Sequence, residues 1–264
     1  MYLEYWKLDK FPFENVPDPE FMYYSSEHKE ALVRLTYAVK RMKGAALLTG
    51  EIGSGKTTLS RVFIQQLPDE EFDIGLITNP SLSPLDFLKE VVYQIGIDVE
   101  SNSKTELLSY LNKKLLENAN EQKNTLLIID EAQLLTGETF EEIRLLLNFQ
   151  MNDRFLMTFL LIGQPELKDM IRQYKQLDQR IAIRYHLNPL SEEESEHYIA
   201  YRLEKAGATA PIFTKEALHA VFHYSGGIPR SMNNVCDLAL LIGFSMKARQ
   251  IDDKIVTKVV KDSL

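Results

Sequence analysis

The segment Gly50-Glu51-Ile52-Gly53-Ser54-Gly55-Lys56-Thr57 constrains this chain more than any other. It follows the pattern G-x-x-x-x-G-K-[ST], with an apolar run before it (Ala45–Thr49) and a helical pattern after it, from about Gly55 to Leu67. Glycines let the backbone curl so that several N–H groups point inward at a phosphate. The loop then runs into a helix N-terminus, whose unpaired donors and partial positive charge favour an anion. Gly50 to Thr58 therefore read as a phosphate cradle in which Glu51, Ile52, Gly53, Ser54 and Gly55 form the turn. Lys56 reaches the β- and γ-phosphates, and the Thr57 hydroxyl joins the Mg²⁺ shell, with Thr58 beside it. The expected ligands are ATP and Mg²⁺.

A second motif supports the first. Thr125-Leu126-Leu127-Ile128-Ile129 is a continuous apolar strand that ends in Asp130 and Glu131. Asp130 has the place of a Walker-B aspartate that holds Mg²⁺ through water, and Glu131 is positioned to polarise the attacking water as general base. On its own such a pair reads as a solvated turn; beside a phosphate loop it reads as chemistry. Both motifs lie at carboxyl ends of strands, where parallel α/β sheets place their ligands.

The rest of the chain alternates strand and helix up to Pro189. Helical spacing runs over Ser26–Lys43, Ser83–Ile95, Lys104–Asn118, Glu138–Met151 and Pro165–Gln173, with strands at Asp73–Thr78 and Leu156–Ile162. This spacing predicts a parallel sheet flanked by helices. Before it, Tyr5–Pro19 carries three prolines and reads as an extended arm. Its Phe11, Phe13 and Val16 are candidates to pack on an adenine ring or, equally, to clamp the arm to the core. From Ser191, a capping box with Glu194 opens a run of helices to Ala206, then at Lys215–Tyr224, Pro229–Met246 and Asp252–Lys261, with no strand between them. The expected division is an arm and α/β core over 1–190 and an all-helical lid over 191–264.

Four further residues are candidates at the γ-phosphate. Gln164 follows strand Leu156–Ile162 and reads either as a phosphate sensor or as a helix cap. Arg180 and Arg184 read as surface arginines or as a finger offered to the nucleotide of a neighbouring subunit, where a guanidinium stabilises transition-state charge. Arg230 stands at the first turn of a helix, a poor place for a cation; this favours a role in reaching the phosphates and coupling the lid to nucleotide state.

Composition narrows the partners. The net charge of −8 argues against a surface built broadly for nucleic-acid phosphates. Cys236 is the one cysteine, which excludes an intramolecular disulfide and fits a small buried hydrophobe in a reducing compartment. The N-terminus has no signal-peptide pattern and no apolar run reaches membrane-spanning length, so the expectation is a cytoplasmic chain, at most at the inner-membrane face. His219 and His223 are four apart on a helix, but no third metal ligand accompanies them.

Taken together, Phe11-Pro12-Phe13 through Pro17-Asp18-Pro19, the Gly50–Thr57 loop, Ile128-Ile129-Asp130-Glu131-Ala132-Gln133, Ile162-Gly163-Gln164-Pro165-Glu166-Leu167, Gln179-Arg180-Ile181 and Ser225-Gly226-Gly227-Ile228-Pro229-Arg230 resemble the ExeA/GspA-like AAA+ ATPases of type II secretion and MSHA-type pilus loci. The resemblance implies a P-loop NTPase core of five parallel strands with a helical lid, and Mg²⁺-dependent ATP hydrolysis. It also implies homo-oligomeric assembly as a ring (a hexamer) or filament, an arginine finger in trans, and work on a secretin or pilus complex of the envelope. Secretion members often continue into a transmembrane segment and a peptidoglycan-binding region; this sequence has neither, which reads as a shorter member or a truncated chain. The rival reading is a DNA-binding regulator like the TniB/TnsC transposition ATPases, which share the core.

Overall fold

The computed structural model describes residues Tyr2–Ser263. Its apolar runs form strands β1 (Ala45–Gly50), β2 (Phe72–Ile77), β3 (Asn124–Ile129), β4 (Met157–Gly163) and β5 (Ile181–Leu187), all parallel, in the order β2-β3-β4-β1-β5. The three inner strands, β3, β4 and β1, are buried on both faces, apart from the first residue of β3. That is why they read in sequence as unbroken apolar runs rather than alternations. The register aligns Leu47 with Leu161 and Leu161 with Ile129, so β1 and β3 finish at one end of the sheet, on either side of β4.

The chain forms two compact units: His28–Gly50 with Leu59–Leu187, and the arm up to Glu27 with Glu51–Thr58 and everything from Asn188 onward. In the first, one sheet face (Leu47, Leu127, Ile129, Phe159, Leu161) belongs to a core shared with α4 (Pro84–Gln94), α5 (Lys104–Asn120), α6 (Gly137–Leu146) and α7 (Leu167–Arg172). Alternate residues point the other way and are buried as well (Ala46, Leu48, Leu126, Ile128, Leu160), as is the inner stripe of α2 (Ser26–Lys40) at Ala31, Leu35, Ala38 and Val39. Helix starts follow their capping chemistry. The Ser83 side chain accepts from the Asp86 N–H with Pro84 at the first helical position, as the sequence predicts.

Two elements of this unit escape periodicity: β5 and the one-turn helix α8 (Lys175–Asp178). β5 is an edge strand. Its Ile181, Tyr185 and Leu187 are buried while Ala182 and His186 are exposed, so polar residues interrupt the apolar signal. With it the sheet has the five strands that the family resemblance implies.

The second unit is helical. Helices α9 (Glu192–Lys205), α10 (Lys215–Ser225), α11 (Pro229–Ser245) and α12 (Asp253–Ser263) enclose a core that includes Tyr198, Ile199, Met232, Cys236, Leu240 and Val256. The capping box at Ser191 and Glu194 forms as expected. Cys236 is fully buried, and burial pushes its thiol pKa well up, which keeps it protonated and inert. The arm joins this core and is not extended along its whole length. Tyr2–Trp6 forms helix α1, whose Tyr2 and Trp6, one turn apart, are both buried, with the Trp6 indole donating to the Leu240 carbonyl at 2.9 Å. No proline precedes Pro12, so nothing in this segment opposes a helical turn.

Arg202 fastens the arm. This side chain, 7% exposed, donates from Nε to the Pro12 carbonyl (2.5 Å) and from Nη2 to the Glu14 carbonyl (3.0 Å), with its guanidinium over the Phe21 ring. Phe13 is 2% exposed and meets Phe213 edge to face, whereas Phe11 and Val16 are exposed. Phe13 therefore serves as the clamp of the arm. Among the described residues no helix is long and apolar enough to cross a membrane.

Candidate nucleotide site

The phosphate loop leaves β1 at Gly50 and enters α3 (Lys56–Gln65). Two of its glycines have left-handed backbone, Gly53 at φ +81° and Gly55 at φ +98°, a conformation that costs an L side chain about 1–2 kcal/mol. The Ser54 N–H closes a turn on the Glu51 carbonyl at 3.1 Å. Lys56 is buried, with its ammonium donating to the same carbonyl at 2.8 Å, so the charge is held over the loop rather than in solvent. Ser54 is 2% exposed and its hydroxyl has no hydrogen-bond partner. A buried polar atom without a partner calls for one, and an anion held at the N-terminus of α3 would supply it.

Arg230 adds to this loop in a way the sequence does not reveal. Its backbone N–H, one of the unpaired donors at the start of α11, bonds the Gly53 carbonyl at 3.2 Å. A Cβ on Gly53 would lie 2.5 Å from the Arg230 Cβ, so Gly53 is required both by its φ and by this approach. The Arg230 residue as a whole is exposed. The preceding Gly-Gly pair has its own reasons: Gly226 ends α10 in the left-handed conformation, and at Gly227 a Cβ would stand 2.1 Å from the Leu190 carbonyl.

At the sheet, Asp130 is nearly buried and its backbone N–H continues the ladder to the Ile77 carbonyl at 2.9 Å. The Asp130 carboxylate accepts from the Glu131 N–H at 2.9 Å. Glu131 has φ 52° and ψ 37°, left-handed for a residue with a side chain, and starts the 3-10 turn Ala132–Leu134. Gln133 on that turn donates from Nε2 to Glu131 Oε2 at 2.5 Å and accepts at Oε1 from the Gln164 N–H at 3.1 Å. The sequence gives no periodic or motif-based signal for Gln133 beyond its place after Asp130-Glu131-Ala132.

The two candidate finger arginines are both engaged within their own chain. Arg180 donates to the Arg144 carbonyl (3.1 Å) and Asn148 Oδ1 (2.7 Å), at the C-terminal end of α6, where a cation is favoured. Arg184, on β5, donates to the Asp178 carbonyl (2.6 Å) and pairs with its carboxylate (2.9 Å). Among the described residues no group of three His, Cys, Asp or Glu side chains stands together as a metal site, and His219 meets Glu192 at 2.5 Å.

Comparison with known proteins decides the family. The family model described as an AAA domain matches residues 39–171, half of the chain, including both the phosphate loop and the Asp130-Glu131 strand end. The chain belongs to the AAA domain family. The chain is 42% identical over 255 residues to the general secretion pathway protein A of Aeromonas hydrophila, covering 95% of this chain and 46% of that protein. The chain thus spans less than half the length of this curated relative. Among solved structures, the Cdc6p protein of Pyrobaculum aerophilum matches with a TM-score of 0.73 at 15% identity, covering 94% of this chain and 71% of the other. The ORC2 protein of Aeropyrum pernix matches with a TM-score of 0.70 at 18% identity, covering 96% and 71%. At such identities the likeness is one of fold: the P-loop AAA+ sheet with a helical C-terminal region. Family and fold together make this an ATP-binding P-loop protein of the AAA+ class.

Proposed function

We propose that this protein hydrolyses ATP with Mg²⁺ and, as an assembled oligomer, drives the assembly or remodelling of a secretion or pilus complex of the bacterial envelope. The reading is carried by the Gly50–Thr57 loop, where two left-handed glycines surround a buried hydroxyl without a partner. It extends to residues 191–264 as a nucleotide-responsive lid, with its boundary near residue 190, working from the cytoplasmic side of the inner membrane.

The loop backbone from Gly50 to Thr58 binds the phosphates, and Lys56 exchanges its bond to the Glu51 carbonyl for phosphate oxygens. Thr57 and Asp130 supply the oxygen donors that Mg²⁺ prefers. When bound, the cation neutralises charge that develops on the phosphate oxygens. Glu131 accepts a proton from the attacking water, Gln164 orients the γ-phosphate, and Arg230 senses it from the lid. Arg180 or Arg184, released from its bonds to Asn148 or Asp178, serves the nucleotide of an adjacent subunit in a ring or filament. The identity to general secretion pathway protein A supports the envelope assignment.

A finger in trans makes hydrolysis depend on assembly. The specific ATPase rate should therefore rise with protein concentration and with ATP-dependent growth in particle mass by light scattering. A rate per subunit that stays constant down to concentrations where the protein is monomeric would remove the intersubunit site from this account.

A further inference from the structure

We infer that Gln133 is a positioning residue for Glu131, holding the base carboxylate in register with the backbone at Gln164; the inference rests on the reading of Glu131 as general base. Three observations converge on it. First, the two bonds of the Gln133 amide are chemically directed. The Gln164 backbone N–H can only donate, so the amide oxygen must face it, and the amide N–H₂ is thereby turned to Glu131 Oε2. No flipped arrangement satisfies both partners.

Second, the space for this side chain is built. At Gly163, the last residue of β4, a Cβ would come 2.6 Å from Gln133 Oε1 and 2.7 Å from Leu167 Cδ2, so any residue but glycine there would displace the amide. Third, Glu131 is held in a left-handed backbone conformation that a residue with a side chain adopts only at a cost. That conformation starts the turn that brings Gln133, two residues on, back to the Glu131 carboxylate.

The consequence is a chain of three groups, from Gln164 N–H to the Gln133 amide to the Glu131 carboxylate. A glutamate on its own turns freely about its side-chain torsions, and a base must be aimed as well as ionised. The bond at Oε2 restrains that oxygen toward Gln133 and so biases the direction of the carboxylate. Any displacement of the backbone at Gln164 is passed through the amide to the base. Gln133 thereby makes the aim of the base respond to the residue proposed to read the γ-phosphate.

The test uses the full chain and four variants: Gln133→Met, Gln133→Glu, Glu131→Ala and the Gln133→Met/Glu131→Ala pair. Met keeps the length of the side chain and removes both bonds. Glu keeps an acceptor for the Gln164 N–H but sets a like charge against Glu131. Both single changes at 133 are expected to lower kcat about tenfold or more, with the ATP dissociation constant within about twofold of the parent. Hydrogen exchange at the Gln164 amide, measured without nucleotide, should speed up in Gln133→Met and stay slow in Gln133→Glu. In the Glu131→Ala background Gln133→Met should cost nothing further, because a residue that acts through the base has nothing left to position. Retained kcat in Gln133→Glu, or an equal loss with and without Glu131, would reduce Gln133 to a staple for the loop and overturn the inference. Normal turnover in Glu131→Ala would instead overturn the base assignment, and the inference with it.

Discussion

Gly53→Ala puts the smallest possible side chain at the point where phosphate loop and α11 meet. The substitution carries two separate costs. The left-handed backbone at φ +81° costs an alanine about 1–2 kcal/mol. The new Cβ also lies 2.5 Å from the Arg230 Cβ, well inside van der Waals contact, and Arg230 cannot simply retreat because its N–H is bonded to the Gly53 carbonyl. Relief of that overlap by backbone movement costs about 1 kcal/mol or more on the scale of overpacked sites. Together the loop conformation loses about 2–3 kcal/mol, which corresponds to roughly a 30- to 150-fold weaker ATP dissociation constant if binding requires that conformation. Titration with a fluorescent ATP analogue in the presence of Mg²⁺ measures it directly. Tyr93→Ala, at an exposed position of α4 outside the loop, is the control and should bind as the parent does. If Gly53→Ala binds within threefold of the parent, neither the left-handed turn nor the approach of Arg230 belongs to the binding-competent loop.

Arg180→Ala and Arg184→Ala should each leave ATP affinity unchanged, and the variant that removes the finger should lose hydrolysis. Mixed with Glu131→Gln subunits, that variant should regain measurable turnover, since base and finger then come from different chains; no gain in the mixture counts against action in trans. Arg202→Met removes two charge-assisted bonds to arm carbonyls and a third to the Tyr198 hydroxyl, a loss of about 3 kcal/mol or more. It should lower the melting temperature by about 6–12 °C and release the arm to proteases; an unchanged melting curve would show that the arm is held by its aromatic contacts alone.

The sequence made the interior of this fold legible because parallel inner strands and capped helices each leave a local signature. Leu126 to Ile129 read as a strand buried on both faces, and Ser83-Pro84 and Ser191 to Glu194 announce their helices by hydrogen-bonding chemistry. The edge is where the signal fails. β5 mixes Arg184 and His186 into its apolar residues because one side has no neighbouring strand, and α8 is too short to show a period. The arm hid a helical turn at Tyr2–Trp6 because its burial depends on α11, far away in the chain.

The site divides in the same way. The phosphate loop and the acidic strand end are contiguous and carry their own patterns. The partners of those residues are set by tertiary approach: Arg230 N–H on the Gly53 carbonyl, the Gln133 amide between Glu131 and Gln164, and Arg202 on the arm carbonyls. Apart from Gln133 and Glu131, two residues apart on one turn, these partners are too distant in the chain for any spacing rule to couple them.

Every role proposed for the other residues depends on the loop at Gly50–Thr57 being the seat of the triphosphate. Calorimetric titration of Mg·ATP into the parent chain and into Lys56→Ala tests this most directly. A single saturable site in the parent that disappears in Lys56→Ala, with the melting curve of the ligand-free protein preserved, is the predicted result. Equal affinity in the two proteins would contradict it.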